Sequence, residues 1–144
     1  MAQVSKVTDK ACGKELRGSP QAYFEVARRK SKHGWDLDHI EPKASDPKES
    51  LFQTIGNLVL LEPPDNRSRG KRRPVEKSKN YANSSLYLTK TLVGVEASPY
   101  KKRIENYLSN LNLVQDFSLE DWDEKQVMKR TQFYFEILKN HLST

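Results

Sequence analysis

Cysteine is almost absent: Cys12 stands alone among 144 residues. A lone thiol excludes an internal disulfide and a multi-cysteine zinc site, so the fold has to be held by packing. Long apolar runs are also missing. Nothing approaches the ~20 residues that a bilayer-spanning helix needs, and Met1 to Lys14 have no apolar centre of the kind a secretory leader carries. The expectation is a cytoplasmic protein with no membrane role. Neither an internal repeat nor a low-complexity tract appears. Acidic residues are the minority sign, with 19 Asp and Glu against 25 Lys and Arg, a net charge of +6 and a pI near 9.4. Such a surface attracts a polyanion, and nucleic acid is the natural candidate.

What is present suits one folded domain. The length fits a single core, and apolar residues, 35% of the chain, recur with period. Residues 1–18 are polar, carry Gly13 and Gly18, and read as a loose lead-in. Ser19-Pro20 predicts a helix start running to about Lys32, with Ala22, Tyr23, Val26 and Ala27 inward. From Trp35 to Ile40 apolar and polar residues alternate as in a strand, and Pro42 ends it. Residues 41–50 read as a loop. Asn57-Leu58-Val59-Leu60-Leu61 predicts a second strand, entered through Gly56 and closed by Pro63-Pro64.

Asp65 is placed to cap a short helical turn carrying Asn66, which Gly70 and Pro74 interrupt. Beyond Pro74 a helix is expected, with Tyr81, Ser85, Leu88 and Leu92 on one face. Ser98-Pro99 opens another, with Ile104, Tyr107, Leu108 and Leu111 inward. Ser118 and Asp121, spaced as in a capping box, predict a last helix to about His141 through Val127, Thr131, Tyr134 and Leu138. Trp35 and Trp122 sit beside periodic apolar residues and read as core. The class is α+β: a single domain with a small sheet at 35–73 and helical support from 74 to 144.

The chemistry gathers between Asp38 and Lys71. Hydrolysis of a phosphodiester needs a base for water, a cation for the phosphoryl charge and groups that hold the backbone. His39 alone would read as a structural histidine, as His33 and His141 do. With Asp38 beside it, and Asn57 and Asn66 following at strand and turn, it reads as the base. Asp38 and His39 are strand neighbours, so their side chains face opposite ways unless the strand is irregular. Asp38 and Asn66 offer hard oxygen ligands suited to Mg2+, or Mn2+, rather than zinc. Arg67, Arg69, Lys71, Arg72 and Arg73 put five cations into seven residues. A solvated charge run is the plain explanation, but beside a metal site they suggest a phosphate-backbone clamp.

Three phrases, Asp-Leu-Asp-His-Ile-Glu-Pro (36–42), Ile-Gly-Asn-Leu-Val-Leu-Leu (55–61) and Asp-Asn-Arg-Ser-Arg-Gly-Lys (65–71), resemble the ββα-metal HNH nucleases. The spacing from Asp-His through both asparagines is similar to the HNH domain of the RNA-guided type II CRISPR effector. The Ile-Gly-Asn-Leu phrase, followed by Lys77, Tyr81, Ser84, Trp122, Val127 and Arg130, looks like the HNH domain of GmrSD-type restriction enzymes. The resemblance implies a two-stranded antiparallel sheet within a ββα-metal core and extra helices around it. It further implies Asp38 and Asn66 as metal ligands, His39 as general base, and Asn57 as the residue fixing the loop or imidazole of that base. Lys77 joins the basic residues as a nucleic-acid contact. Many HNH enzymes have histidine where this chain has Asn66, which leaves one charged protein ligand; Asp36 and Asp65 are candidates for another.

The expected activity is metal-dependent cleavage of DNA, as the nuclease part of a microbial defence system, either restriction or CRISPR-like. A larger defence assembly or a guide-RNA complex is the expected partner. The alternatives are a catalytically inactive nucleic-acid-binding module of the same fold and a nuclease acting on RNA.

Overall fold

The computed structural model describes residues 1–12, 36–42, 54–62, 72–93 and 100–143. The helix expected from Ser19 to Lys32, Trp35, most of the 41–50 loop and the turn carrying Asn66 lie outside the described residues. The elements are α1 (Ala2–Ala11), β1 (Asp36–His39), β2 (Leu58–Leu61), α2 (Ser78–Asn83), α3 (Tyr87–Lys90), α4 (Tyr100–Asn110) and α5 (Glu124–Ser143). Single 3-10 turns at Ile55–Asn57 and Pro74–Lys77 lead into β2 and α2. The α+β class with a small sheet is as the sequence pattern predicts, and the sheet is two-stranded and antiparallel, as the resemblance implies. Among the described residues no helix is long and apolar enough to cross a membrane.

β1 and β2 pair with Asp36 opposite Leu61, Leu37 opposite Leu60, Asp38 opposite Val59 and His39 opposite Leu58. The pairing stays regular through His39, and the chain leaves the sheet at Ile40. Alternation buries Asp38 and leaves Leu37 41% exposed and His39 half-buried on the other face. β2 is buried at Val59, Leu60 and Leu61. They are covered on both faces, so the strand shows a continuous apolar run instead of alternation.

Two apolar clusters meet along α5. One gathers Val4, Val7 and Cys12 of the N-terminal segment with Tyr87, Leu88, Ile104, Leu108, Phe133, Tyr134 and Ile137. The other joins Ile40, Val59, Leu61, Tyr81, Leu92, Leu119, Trp122 and Val127. Arg130 is wholly buried between them. Its guanidinium donates to the Leu88 carbonyl (2.8 Å), to Thr91 Oγ1 (2.7 Å) and to Tyr134 Oη (2.9 Å), and lies 4.7–5.1 Å from the ring centres of Phe117, Phe133 and Tyr134. Burial pulls its pKa below the usual arginine value, with Tyr134 working against that pull. The Tyr134 hydroxyl donates in turn to the Leu58 carbonyl at 2.8 Å. One buried cation thus ties α5 to the end of α3, and its tyrosine partner ties α5 to the start of β2.

Three expectations are corrected. The lead-in is ordered over Ala2–Ala11 as a helix whose buried face is partly polar: Ser5, Thr8 and Asp9 are buried, and the Asp9 carboxylate accepts the Tyr87 amide at 3.0 Å. Burial, with Asp9 nearby, pushes the Cys12 thiol up to about 12, so it is inert as a nucleophile. The helix expected beyond Pro74 is broken at Ser84–Ser85. There the Glu62 carboxylate accepts Ser84 Oγ (3.3 Å), Ser85 N (2.7 Å) and Ser85 Oγ (2.6 Å). Burial raises the Glu62 pKa, but these bonds outweigh it and hold the carboxyl below its usual range.

The third correction concerns α5, which begins at Glu124 rather than at the Ser118–Asp121 pair. Ser118 Oγ accepts the Asp121 amide and closes a preceding turn, while Asp123 Oδ1 accepts the Gln126 amide at 3.0 Å and caps the helix. The apolar stripes expected for α4 and α5 are otherwise where the periodicity put them, with Ile104, Leu108, Val127 and Tyr134 buried. α4 ends through Asn112, whose φ of 54° lets the Leu113 amide reach the Leu108 carbonyl at 2.8 Å.

Gly56 is where α5 bears on the sheet. A Cβ there would fall inside van der Waals contact of the Val127 carbonyl oxygen and Thr131 Oγ1. Gly56→Ala is therefore expected to push α5 away and to cost about 1–3 kcal/mol, the usual range for overpacking. That should lower the melting temperature by roughly 3–10 °C for a chain of this size. An unchanged melting curve would mean that α5 does not seat on this turn.

Candidate active site

The site is built where β1 ends. Five consecutive backbone polar groups follow the His39 side chain, and each has a defined partner. The His39 carbonyl accepts Lys77 Nζ at 2.5 Å, and the Ile40 carbonyl accepts the same ammonium at 3.2 Å. The Ile40 amide donates to the Asn57 carbonyl at 2.8 Å. The Glu41 amide donates to Asn57 Oδ1 at 2.9 Å, and Asn57 Nδ2 donates to the Glu41 carbonyl at 3.0 Å. A carboxamide has one acceptor and one donor end, and both close onto a single residue's backbone here. Asn57 Oδ1 also accepts Trp122 Nε1 at 3.0 Å, so the segment before α5 fixes the amide's orientation.

Behind the strand lies a buried charge pair. Asp38 is 6% exposed and Lys77 is fully buried. Asp38 Oδ2 accepts Lys77 Nζ at 3.1 Å and the Tyr81 hydroxyl at 2.8 Å. Lys77 closes the 3-10 turn and Tyr81 lies in α2 one helical turn later, so the two share a face. The turn starts with Pro74, and the Glu76 carboxylate accepts the Arg73 amide at 2.8 Å. Removing one partner of such a buried pair typically costs ~3–5 kcal/mol, because the remaining charge stays buried and uncompensated.

Of the residues singled out from sequence, Asp38, His39 and Asn57 share one strand-and-turn unit. Asp38 and His39 face opposite ways across β1. Asn57 reaches the backbone following His39. Arg72 and Arg73 are exposed directly before Pro74. Lys77 departs from its expected place among the nucleic-acid contacts: its ammonium is under the sheet, bonded to a carboxylate and two carbonyls. Asn66, Arg67, Arg69, Lys71 and Asp65 lie outside the described residues. Tyr81 and Trp122 are polar members of the site that sequence reasoning took only as apolar face and core. Their signal was the side-chain hydroxyl and indole N–H, each of which must find a partner when buried.

For a divalent cation, the described donor set is sparse. Among the described residues no group of three or more His, Cys, Asp and Glu side chains could hold a metal. Asp38 shares Oδ2 between an ammonium and a phenol, which leaves Oδ1 as the oxygen available to a ligand. Asp36 stands two residues earlier on the same face of β1. One or two carboxylates fit a hard cation such as Mg2+ that keeps most of its waters, and do not fit a structural zinc.

Asn57→Ala leaves Trp122 Nε1 and both backbone groups of Glu41 without their partner. The expected loss is about 2–5 kcal/mol, since a fully buried group left unsatisfied costs ~1–3 kcal/mol and the two Glu41 groups, being only part-buried, cost less than the indole N–H; it is read as a lower denaturant midpoint. A midpoint within error of the parent would contradict the bonding described.

Neither a curated protein nor a solved structure matches the chain. A family description does: that of the C-terminal domain of GmrSD restriction endonucleases, which matches residues 9–137. This span takes in α1's last turn, both strands, the Lys77–Tyr81 pair, Trp122 and most of α5. The chain belongs to the GmrSD restriction endonuclease C-terminal domain family.

Proposed function

We propose that the chain is a metal-dependent endonuclease domain of the HNH type that hydrolyses DNA phosphodiester bonds, as the nuclease part of a microbial restriction system. The observation that carries this reading is the Asn57 carboxamide gripping the Glu41 backbone from sixteen positions away. It joins the Asp-His-Ile-Glu phrase to the Gly-Asn-Leu phrase and holds the exit of the strand that bears His39. Family membership supports the same reading.

In the mechanism, neutral His39 removes the proton of a water molecule attacking phosphorus, and the products are a 5′-phosphate and a 3′-hydroxyl. Asp38 and Asn66 are the residues to hold a divalent cation, Mg2+ or Mn2+, which when bound neutralises charge on the phosphoryl group. Asn57 orients the segment that follows the base. The exposed Arg72 and Arg73, with Arg67, Arg69 and Lys71, bind the phosphate backbone. Base reading is left to other parts of a larger assembly.

His39→Ala is expected to slow nicking of supercoiled plasmid by ~10²- to 10⁴-fold in the presence of Mg2+ or Mn2+, the usual contribution of a general base, with DNA affinity little changed. Wild-type nicking by that variant removes His39 from the mechanism, and cleavage of RNA alone by the parent chain changes the substrate. Arg72→Gln with Arg73→Gln is expected to flatten the log-log salt dependence of DNA binding by about 0.9 for each phosphate that is no longer neutralised. A slope unchanged from the parent would make these two residues an ordinary solvated run.

A further inference from the structure

We infer that Lys77 is a positioning residue for His39, acting through the backbone, and that Lys77 and Asn57 work as the two jaws of one clamp on residues 39–41. The inference rests on the reading of His39 as the base and deepens it. Lys77 is distant in sequence, and its ammonium is bonded on the Asp38 face of β1, opposite the face to which strand alternation sends the imidazole. Its ammonium nevertheless bonds the carbonyl of His39 itself, at 2.5 Å, and that of Ile40, at 3.2 Å. Asn57 takes the next groups along, the Ile40 amide through its backbone and both Glu41 groups through its side chain.

The two jaws divide the segment without overlap. Lys77 holds the carbonyls of 39 and 40 from beneath the sheet, and Asn57 holds the amide of 40 and the peptide groups of 41 from the β2 side. Asp38 completes the lower jaw. Its Oδ2 accepts the same ammonium at 3.1 Å and is itself fixed by the Tyr81 hydroxyl at 2.8 Å. An ammonium has three protons and no acceptor, and the fully buried Lys77 finds one carboxylate oxygen and two carbonyls of consecutive residues as acceptors. With its carbonyl fixed on one side and its strand pairing to Leu58 on the other, His39 has little backbone freedom left. The point from which the imidazole projects is then held by bonds on both sides of the strand. A displacement of about 1 Å at a reacting group can cost ~10²-fold in rate.

The test compares Lys77→Met with Ile104→Ala, which removes packing from the α4 cluster and leaves both carbonyl bonds of Lys77 in place. Nicking kinetics are expected to show kcat reduced by ~10²-fold in Lys77→Met with KM for DNA nearly unchanged, and kcat close to the parent value in Ile104→Ala. Equal kcat in Lys77→Met and the parent overturns the inference. So does a loss in both variants that follows their melting temperatures, since that is the signature of stability alone.

Because Lys77→Met leaves a buried carboxylate unpaired and could fail to fold, the parent is also compared with Asp38→Asn/Lys77→Met, in which no buried charge is stranded. The readout is the imidazole resonances of His39 in NMR spectra, assigned by their loss in His39→Ala. A sharp single set in the parent that becomes broadened or doubled in the double variant supports the clamp. Identical ring signals in the two overturn it. This readout needs no cleavage activity. A parent chain that cuts neither DNA nor RNA defeats the proposed function, and the ring signals still decide whether Lys77 governs the placement of His39.

Discussion

The structure depends on a single buried ammonium. Desolvating a lysine is among the costlier acts in folding, and it is tolerated only where the charge is paired and every proton is accepted. Lys77 meets both conditions with one carboxylate oxygen and two carbonyls. Those acceptors belong to three successive residues, Asp38 to Ile40, so satisfying the charge also fixes the path of the chain. An apolar side chain of the same volume would fill the space, but it would not specify where the carbonyls of His39 and Ile40 point. Buried pairs of this kind typically add little net stability over an apolar replacement, and what this one supplies is geometry.

That geometry is braced from the far end of the sequence. Gly56 admits α5 onto the turn before β2, Trp122 holds the Asn57 amide, and Tyr134 caps the Leu58 carbonyl. Arg130 locks α5 to the end of α3, in the same helical region as Tyr81 and Lys77. Each jaw of the clamp on residues 39–41 is therefore supported by an element that also touches α5. The helical half of the chain serves as the frame of the site, and the family match, extending to residue 137, takes in most of α5.

Periodicity made the apolar parts legible from sequence. The stripes of Ile104 and Leu108, and of Val127 and Tyr134, appear at helical spacing, and both strands lie within a residue or two of their expected places. The polar parts were less legible because their burial is decided by partners distant in sequence. α1 was hidden because Ser5, Thr8 and Asp9 look solvated, and only the Tyr87 amide explains why Asp9 is buried. The break at Ser84–Ser85 depends on Glu62, more than twenty residues earlier. Lys77 is the sharpest case. Beside Arg72 and Arg73 its charge reads as one more surface cation, yet Lys77 and Tyr81 are four residues apart, and that spacing already placed both on one helical face.

The same physics bears on how Asp38 and His39 can share a task. Strand alternation sends neighbouring side chains to opposite faces, and the regular pairing through His39 leaves that rule intact. Asp38 thus meets the buried cation while His39 stays on the more open side with Leu37. If the two converge on one phosphate, the convergence takes place at the end of the strand, where the chain turns and the sheet no longer separates its faces. That is the segment which Lys77 and Asn57 hold most tightly. A site that must be reached from both faces of a strand demands rigidity where the strand stops, and the hydrogen bonds are concentrated there.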